Sequence, residues 1–362
     1  MGCNHKRWVR AIPRVRPAIL GALAALAWLA LPCGAAAAEP PPFTEGEIRA
    51  ILAHGPWPVP LATDPRNRVS GKREAVEFGE RLFFDQRLSG SGKFSCGTCH
   101  VPERNWTDNR TRGAAAADVD RNTPTLMNVR LGHRFGWDGA AESLPAQSIR
   151  PILSARELGA SPRQIAELLR KDEQLSCRYR KTFGAAPSAT DDDAVLADVG
   201  KALAAFQETF ETPPTPFDRF RNALANGEPI KPWVYSEPAQ RGAKLFVGKG
   251  NCSSCHSGPN FSSGELRDNG FSAYAAKGRP DPGKNGAFKI PTLRHLFLTA
   301  PYGHHGEVAT MADAVRHYSE RGSNELQPLK LTAAEQSDLV VFLESISTFS
   351  NPWRPDDLNR CN

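Results

Sequence analysis

Apolar positions along this chain recur mostly at helical spacing, and the alternation of a half-buried strand is sparse. From Ser161 to Lys171, Ile165, Leu168 and Leu169 share one face, with Pro162 near the start. From Asp192 to Phe210, Val195, Leu196, Val199, Leu203 and Phe206 form the stripe of a long amphipathic helix. Thr212-Pro213-Pro214-Thr215-Pro216 ends it, because proline lacks the N–H a helix interior needs. Thr332 caps a final helix running to about Ser345, with Leu339, Val340, Phe342 and Leu343 as its apolar side. Thr310 caps another through Tyr318. Two shorter helices echo one another: Gly79-Glu80-Arg81-Leu82-Phe83-Phe84 and Gly242-Ala243-Lys244-Leu245-Phe246-Val247. The pattern predicts a mainly α protein.

The amino end changes the charge picture. Lys6, Arg7, Arg10, Arg14 and Arg16 precede an apolar stretch, Ala18 to Leu31, that is too short to span a bilayer. Ala36-Ala37-Ala38 then fits a cleavage site, so residues 1–38 read as a secretory signal and the mature chain begins near Glu39. Pro32 before Cys33 argues against lipidation. The formal charge of +6 falls to about +1 once the five basic residues of the signal leave. No basic run with interleaved aromatics remains, so the footprint of nucleic-acid binding is missing. A mature chain of about 320 residues suggests two domains.

The chemistry lies in two pentapeptides, Cys96-Gly97-Thr98-Cys99-His100 and Cys252-Ser253-Ser254-Cys255-His256. Cys-x-x-Cys-His reads as c-type haem attachment: two thiols reach the two vinyl groups and the histidine swings under the iron. A four-thiol zinc site competes, but it has no use for a histidine after each second cysteine. Export with haem attachment points to a bacterial periplasm. Of eight cysteines, Cys177 and Cys361 remain; they either pair in an oxidising compartment or stand as two free thiols. Downstream of each haem motif comes a second echo, Asn122-Thr123-Pro124-Thr125-Leu126 and Lys289-Ile290-Pro291-Thr292-Leu293. The expected fold is two cytochrome c-like haem domains related by internal duplication. The N-terminal domain is 39–225 and the C-terminal one 226–362, with Asn226 to Pro238 as the crossover.

The mature chain resembles the bacterial di-haem cytochrome c peroxidase and MauG family. The resemblance rests on Leu82-Phe83-Phe84-Asp85 with Leu88-Ser89, both haem motifs, Arg121-Asn122-Thr123-Pro124-Thr125 and Trp137-Asp138-Gly139. Gln147, Glu157-Leu158-Gly159, Pro291-Thr292-Leu293-Arg294 and Thr299-Ala300-Pro301-Tyr302 through His304 complete it. It implies that the N-terminal haem, with His100 proximal, reacts with peroxide. Glu157 is then the acid–base group and Gln147 its neighbour, although the residues alone also allow a solvated Glu157 in a turn. Trp137 is implied as an electron bridge between the haems; the residue alone reads as a core aromatic, and both can hold at once. A calcium ion is implied at the Asn122 side chain and the carbonyls of Thr299 and Pro301.

The C-terminal haem, with His256 proximal, is the implied electron store. The family's axial position falls on Tyr318, with Met311 and His317 as rival ligands. In many peroxidases of the family a histidine shortly after the first haem motif plugs the first iron until activation; here no histidine lies between Val101 and Gly132, and His133 falls in the segment leading to Trp137. The first haem is therefore expected to have an open distal face at rest. The family's His-Asp-Gly appears as His304-His305-Gly306, and His305 has no assigned role.

Three functions follow as alternatives. One is reduction of hydrogen peroxide by electrons from a small periplasmic cytochrome c or cupredoxin. The second is MauG-like oxidation of a partner protein or small molecule, toward which Tyr318 and the missing histidine lean. The third is a non-catalytic electron carrier. No membrane span is expected after signal cleavage, and family members often form homodimers.

Overall fold

Capping chemistry sets most helix starts. The computed structural model describes residues 43–60, 62–115, 119–271, 286–323, 325–349 and 361. The expected signal segment lies outside the described residues. The helices are α1 (Glu45–Leu52), α2 (Arg73–Phe83), α3 (Cys96–Cys99), α4 (Leu144–Leu153), α5 (Pro162–Lys171) and α6 (Glu173–Phe183). They continue as α7 (Asp192–Gln207), α8 (Pro216–Ala225), α9 (Glu237–Val247), α10 (Met311–Glu320) and α11 (Ala333–Ser345). Reciprocal caps pair Thr44 with Glu47, Ser161 with Gln164, Thr215 with Asp218 and Thr332 with Glu335. The only named sheet among the described residues is a two-stranded antiparallel one: β1 (Leu266–Arg267) pairs with β2 (Phe288–Lys289). The protein is thus mainly helical, as its periodicity predicts. No described helix is long and apolar enough to cross a membrane.

Two hydrophobic clusters hold the helices. The first gathers Phe78, Leu82 and Phe83 of α2, Ile152 of α4, Ile165 and Leu169 of α5, Tyr179 of α6, and Val195, Val199, Leu203 and Phe206 of α7. The second gathers Ala243 and Phe246 of α9, Met311 and Val315 of α10, and Leu339, Phe342 and Leu343 of α11. Ile51 of α1 and Phe217 and Phe220 of α8 also belong to this second cluster, although they lie in the 39–225 stretch.

The two Gly-x-x-Leu-Phe helices use their glycine alike. A Cβ on Gly79 would come within 2.0 Å of the Ala202 carbonyl oxygen, and one on Gly242 within 2.1 Å of that of Asp338. Only glycine lets α2 meet α7, and α9 meet α11, so closely.

The long helix stops at Gln207 rather than Phe210: Phe210 N–H bonds the Gln207 carbonyl in a turn. The prolines that end it also begin α8, since Pro216 sits where a first-turn N–H has no partner to lose. Cys177 of α6 is disulfide-bonded to Cys361, which settles their pairing. A buried ion pair fastens α8 to the Pro291-Thr292-Leu293-Arg294 segment. Arg294 grips Asp218 through Nη1–Oδ2 at 2.9 Å and Nη2–Oδ1 at 2.8 Å, and its guanidinium lies 3.7 Å from the Trp57 ring centre.

Candidate functional site

Both Cys-x-x-Cys-His motifs open onto one cavity of about 880 Å³. Its wall includes Cys96, Cys99, His100, Cys252, Cys255 and His256. The proximal histidines are prepared in the same way. His100 Nδ1 lies 2.9 Å from the Trp106 carbonyl, and His256 Nδ1 lies 3.1 Å from that of Phe261. Burial lowers the pKa of both, that of His256 to about 4, so each imidazole is neutral with Nε2 left to bind a metal. Trp106 and Phe261, which supply those carbonyls, both have left-handed backbone, with φ of 58° and 49°. Thr125 and Thr292 of the Pro-Thr-Leu echoes donate to the carbonyls of Asn105 and Asn260, at 2.6 and 2.7 Å.

The donor set fits two c-type haems: paired thiols, neutral imidazoles and a mostly apolar wall. A buried cation agrees. Lys289 lines the cavity, and its ammonium meets the Ile290 carbonyl at 3.2 Å with no carboxylate partner among the described residues. Burial pulls its pKa down to about 8. A haem brings two propionates, the anions such a cation lacks.

Gln147 and Glu157 face the cavity beside the first haem motif. Burial raises the Glu157 pKa and Asp120 adds to the rise, while Arg150 opposes it. Trp137 bridges the two halves. Its indole N–H donates to the Asn122 carbonyl at 2.8 Å, and its own carbonyl accepts from Lys289 N–H at 2.8 Å. His133 is half-exposed, lying 3.9 Å from Glu265 and against Gly264.

Tyr318 and Met311 of α10 both face the cavity near the second motif. The Tyr318 hydroxyl accepts a hydrogen bond from Asn269 Nδ2 at 3.2 Å, and burial raises its pKa. Met311 is 7% exposed within the second apolar cluster. His317 turns elsewhere, with Nε2 3.0 Å from the Asn269 carbonyl and its ring against Phe271. Asn122, Thr299 and Pro301 share the cavity wall. Asn122 Nδ2 donates to the Arg110 carbonyl at 2.7 Å, so Oδ1 is the side-chain atom it can offer a cation. His305 Nδ1 lies 3.0 Å from Arg121 Nη1 and 2.8 Å from the Asp120 carbonyl oxygen.

Sequence reasoning missed Arg150, Asn269 and Lys289. Arg150 stands three residues after Gln147 on one helix, a spacing that brings side chains together. Asn269 carries no local signal, and Lys289 opens the second Pro-Thr-Leu echo without a sign in the sequence that its ammonium is buried.

A mainly helical chain with two haem-attachment motifs on one cavity defines a c-type di-haem protein. The family model "Di-haem cytochrome c peroxidase" matches residues 73–226. Methylamine utilization protein MauG of Methylorubrum extorquens is 33% identical over 328 residues, spanning 87% of this chain and 89% of the relative. Cytochrome c551 peroxidase of Nitrosomonas europaea is 34% identical over 286 residues, spanning 76% and 80%. A solved MauG-like protein associated with microbial copper homeostasis aligns with a TM-score of 0.67 at 28% identity, over 83% of this chain and 98% of that one. The chain belongs to the di-haem cytochrome c peroxidase and MauG family, and it is an oxidoreductase of that family.

Proposed function

We propose that this protein reduces hydrogen peroxide in the periplasm, with electrons entering at the haem of His256 and passing to the haem of His100. The observation that carries the reading is the placement of Gln147 and Glu157 on the wall shared with Cys96, Cys99 and His100. A haem held there by Cys96, Cys99 and His100 would supply the iron chemistry that cleaves the O–O bond. Glu157 takes a proton from one peroxide oxygen and returns it to the other as water leaves; two electrons and two further protons complete the conversion to two waters. Gln147 offers a hydrogen bond to the bound peroxide. Trp137, bonded to a segment of each half, would offer the path between the haems held by the two motifs. A small cytochrome c or cupredoxin is the donor, and a calcium ion at Asn122, Thr299 and Pro301 steadies the junction. The matched glycine crossings, proximal carbonyls and threonine bonds support two haem units derived by duplication, 39–225 and 226–362, with α1 and α8 lent to the second core.

One observation favours a second reading. Tyr318 is held at the cavity by an amide donor suited to a phenolate, and an anionic ligand lowers a haem's potential. That arrangement suits MauG-like oxidation of a partner protein. The test uses the holoprotein. Carbon monoxide binds one reduced haem of the two, peroxide shifts the Soret band of the resting oxidised form, and Glu157→Gln slows that shift by about 10²–10⁴-fold. Failure of both haems to bind carbon monoxide makes the protein an electron carrier.

A further inference from the structure

Beside Gln147, the side chains of Asp138 and Arg150 meet at a single point. Arg150 Nη1 is 3.2 Å from Gln147 Oε1 and 3.2 Å from Asp138 Oδ1, and Nη2 is 2.9 Å from Asp138 Oδ2. Asp138 is itself fixed by the Ala140 N–H at 3.1 Å. The three polar ends converge over Gly136, whose φ is +77°. A Cβ there would lie 2.8 Å from Asp138 Oδ1, 2.9 Å from Arg150 Nη1 and 3.3 Å from Gln147 Oε1. Glycine vacates the space that the arrangement fills.

We propose that Arg150 is a positioning residue of the peroxide pocket: it locks the Gln147 amide with its N–H₂ toward the cavity and sets a fixed positive charge on the wall that Glu157 shares. A guanidinium only donates hydrogen bonds, so Gln147 must present Oε1 to it. The amide nitrogen is then the end left for the cavity. Without Arg150 the amide is free to turn over, and a peroxide oxygen can meet an acceptor instead of a donor. Glu157 answers to Arg150 from α4 and to Asp120, which lies 3.8 Å from both Arg121 and Arg156. Cys96 and Cys99 also face it, but as haem thioethers they carry no charge. Arg150 is the group that favours the ionised carboxylate, the form able to accept the peroxide proton.

This inference rests on the peroxide-reducing reading, and the experiment separates the two. In the holoprotein, the acid limb of the peroxide-induced Soret change moves up by about one pH unit in Arg150→Met. Arg150→Lys restores its position. Arg150→Gln, which keeps a hydrogen-bonding partner without the charge, shows the same upward move and keeps the proposal testable if the Met variant fails to mature. The C–O stretching band of the carbon monoxide complex at the His100 haem, a readout independent of turnover, shifts or splits in Arg150→Met as the amide loses its orientation. An unmoved acid limb and an unmoved band, in a protein that Glu157→Gln still disables, overturn the role of Arg150. Loss of effect in Glu157→Gln overturns the underlying function instead.

Discussion

The Cys177–Cys361 bond joins residues 184 positions apart, so its removal has a calculable consequence. Cys177 belongs to α6 of the first cluster, and the loop it closes contains the second haem motif and helices α7 to α11. In the chain-entropy model, closing a loop of that length costs the unfolded state about 5 kcal/mol. Among the described residues, the Cys361 N–H donates to the Gln174 side-chain carbonyl at 2.8 Å. The double variant Cys177→Ser/Cys361→Ser is therefore expected to lose up to about 5 kcal/mol, near 10 °C in the unfolding midpoint for a domain of this size. Differential scanning calorimetry of the holoprotein measures it, with thiol titration under denaturant showing no free thiol in the parent. An unchanged midpoint, or two titratable thiols in the parent, refutes the reasoning.

Other outcomes follow from single contacts. Asp218→Ala leaves the Arg294 guanidinium buried and unpaired, costing about 3–5 kcal/mol in urea unfolding, whereas a cost below about 1 kcal/mol would mean the pair is solvated. Tyr318→Phe changes the absorption of the second haem, while Met311→Leu leaves it unchanged; the reverse pattern assigns the ligand to Met311. Lys289→Met lowers the midpoint potential of one haem, because a cation that favours the reduced form is gone; spectroelectrochemistry reads it, and unmoved potentials break the link to the propionates. His54 and His295 are buried, burial being the main cause that holds both near pKa 4 against 6.5 for the free side chain. Both are neutral when folded and take up protons once unfolded, so stability is full above about pH 6.5 and drains as pH falls toward 4. His295→Asn removes up to about 3 kcal/mol of that acid sensitivity, measured as the difference in unfolding free energy between pH 7 and pH 4.5; equal slopes would exclude His295 as a contributor.

Legibility varied with the range of the cause. Helices α5, α7, α10 and α11 were readable because periodicity, and for the last two a capping Thr310 or Thr332, act within a few residues; the structure adds Ser161 and Asp191 as caps of α5 and α7. Helix α8 hid behind prolines that look like a stop but also serve as a start. Helix α4 carries Pro145 at its first turn and Pro151 inside, which masks its pattern. The haem motifs stood out as sequence signatures, whereas Trp137, Gln147 and Glu157 were picked out only through the family resemblance. The Asn269–Tyr318 and Arg294–Asp218 contacts did not, because partners 49 and 76 residues apart meet only through the tertiary fold. His305 shows the same limit: its neighbours Asp120 and Arg121 come from the other half of the chain.

The presence of Ile51, Phe217 and Phe220 in the second core has a consequence for how the molecule is made. The segment that builds the first cluster is inserted into the second like a bead on a loop, between α1, which ends at Leu52, and α8, which begins at Pro216. On the ribosome, α1 must wait for α9, α10 and α11 to emerge before its apolar side is covered. A fragment beginning at residue 226 would be born without part of its own interior, so half-molecules should be cut by excising the middle and rejoining the flanks.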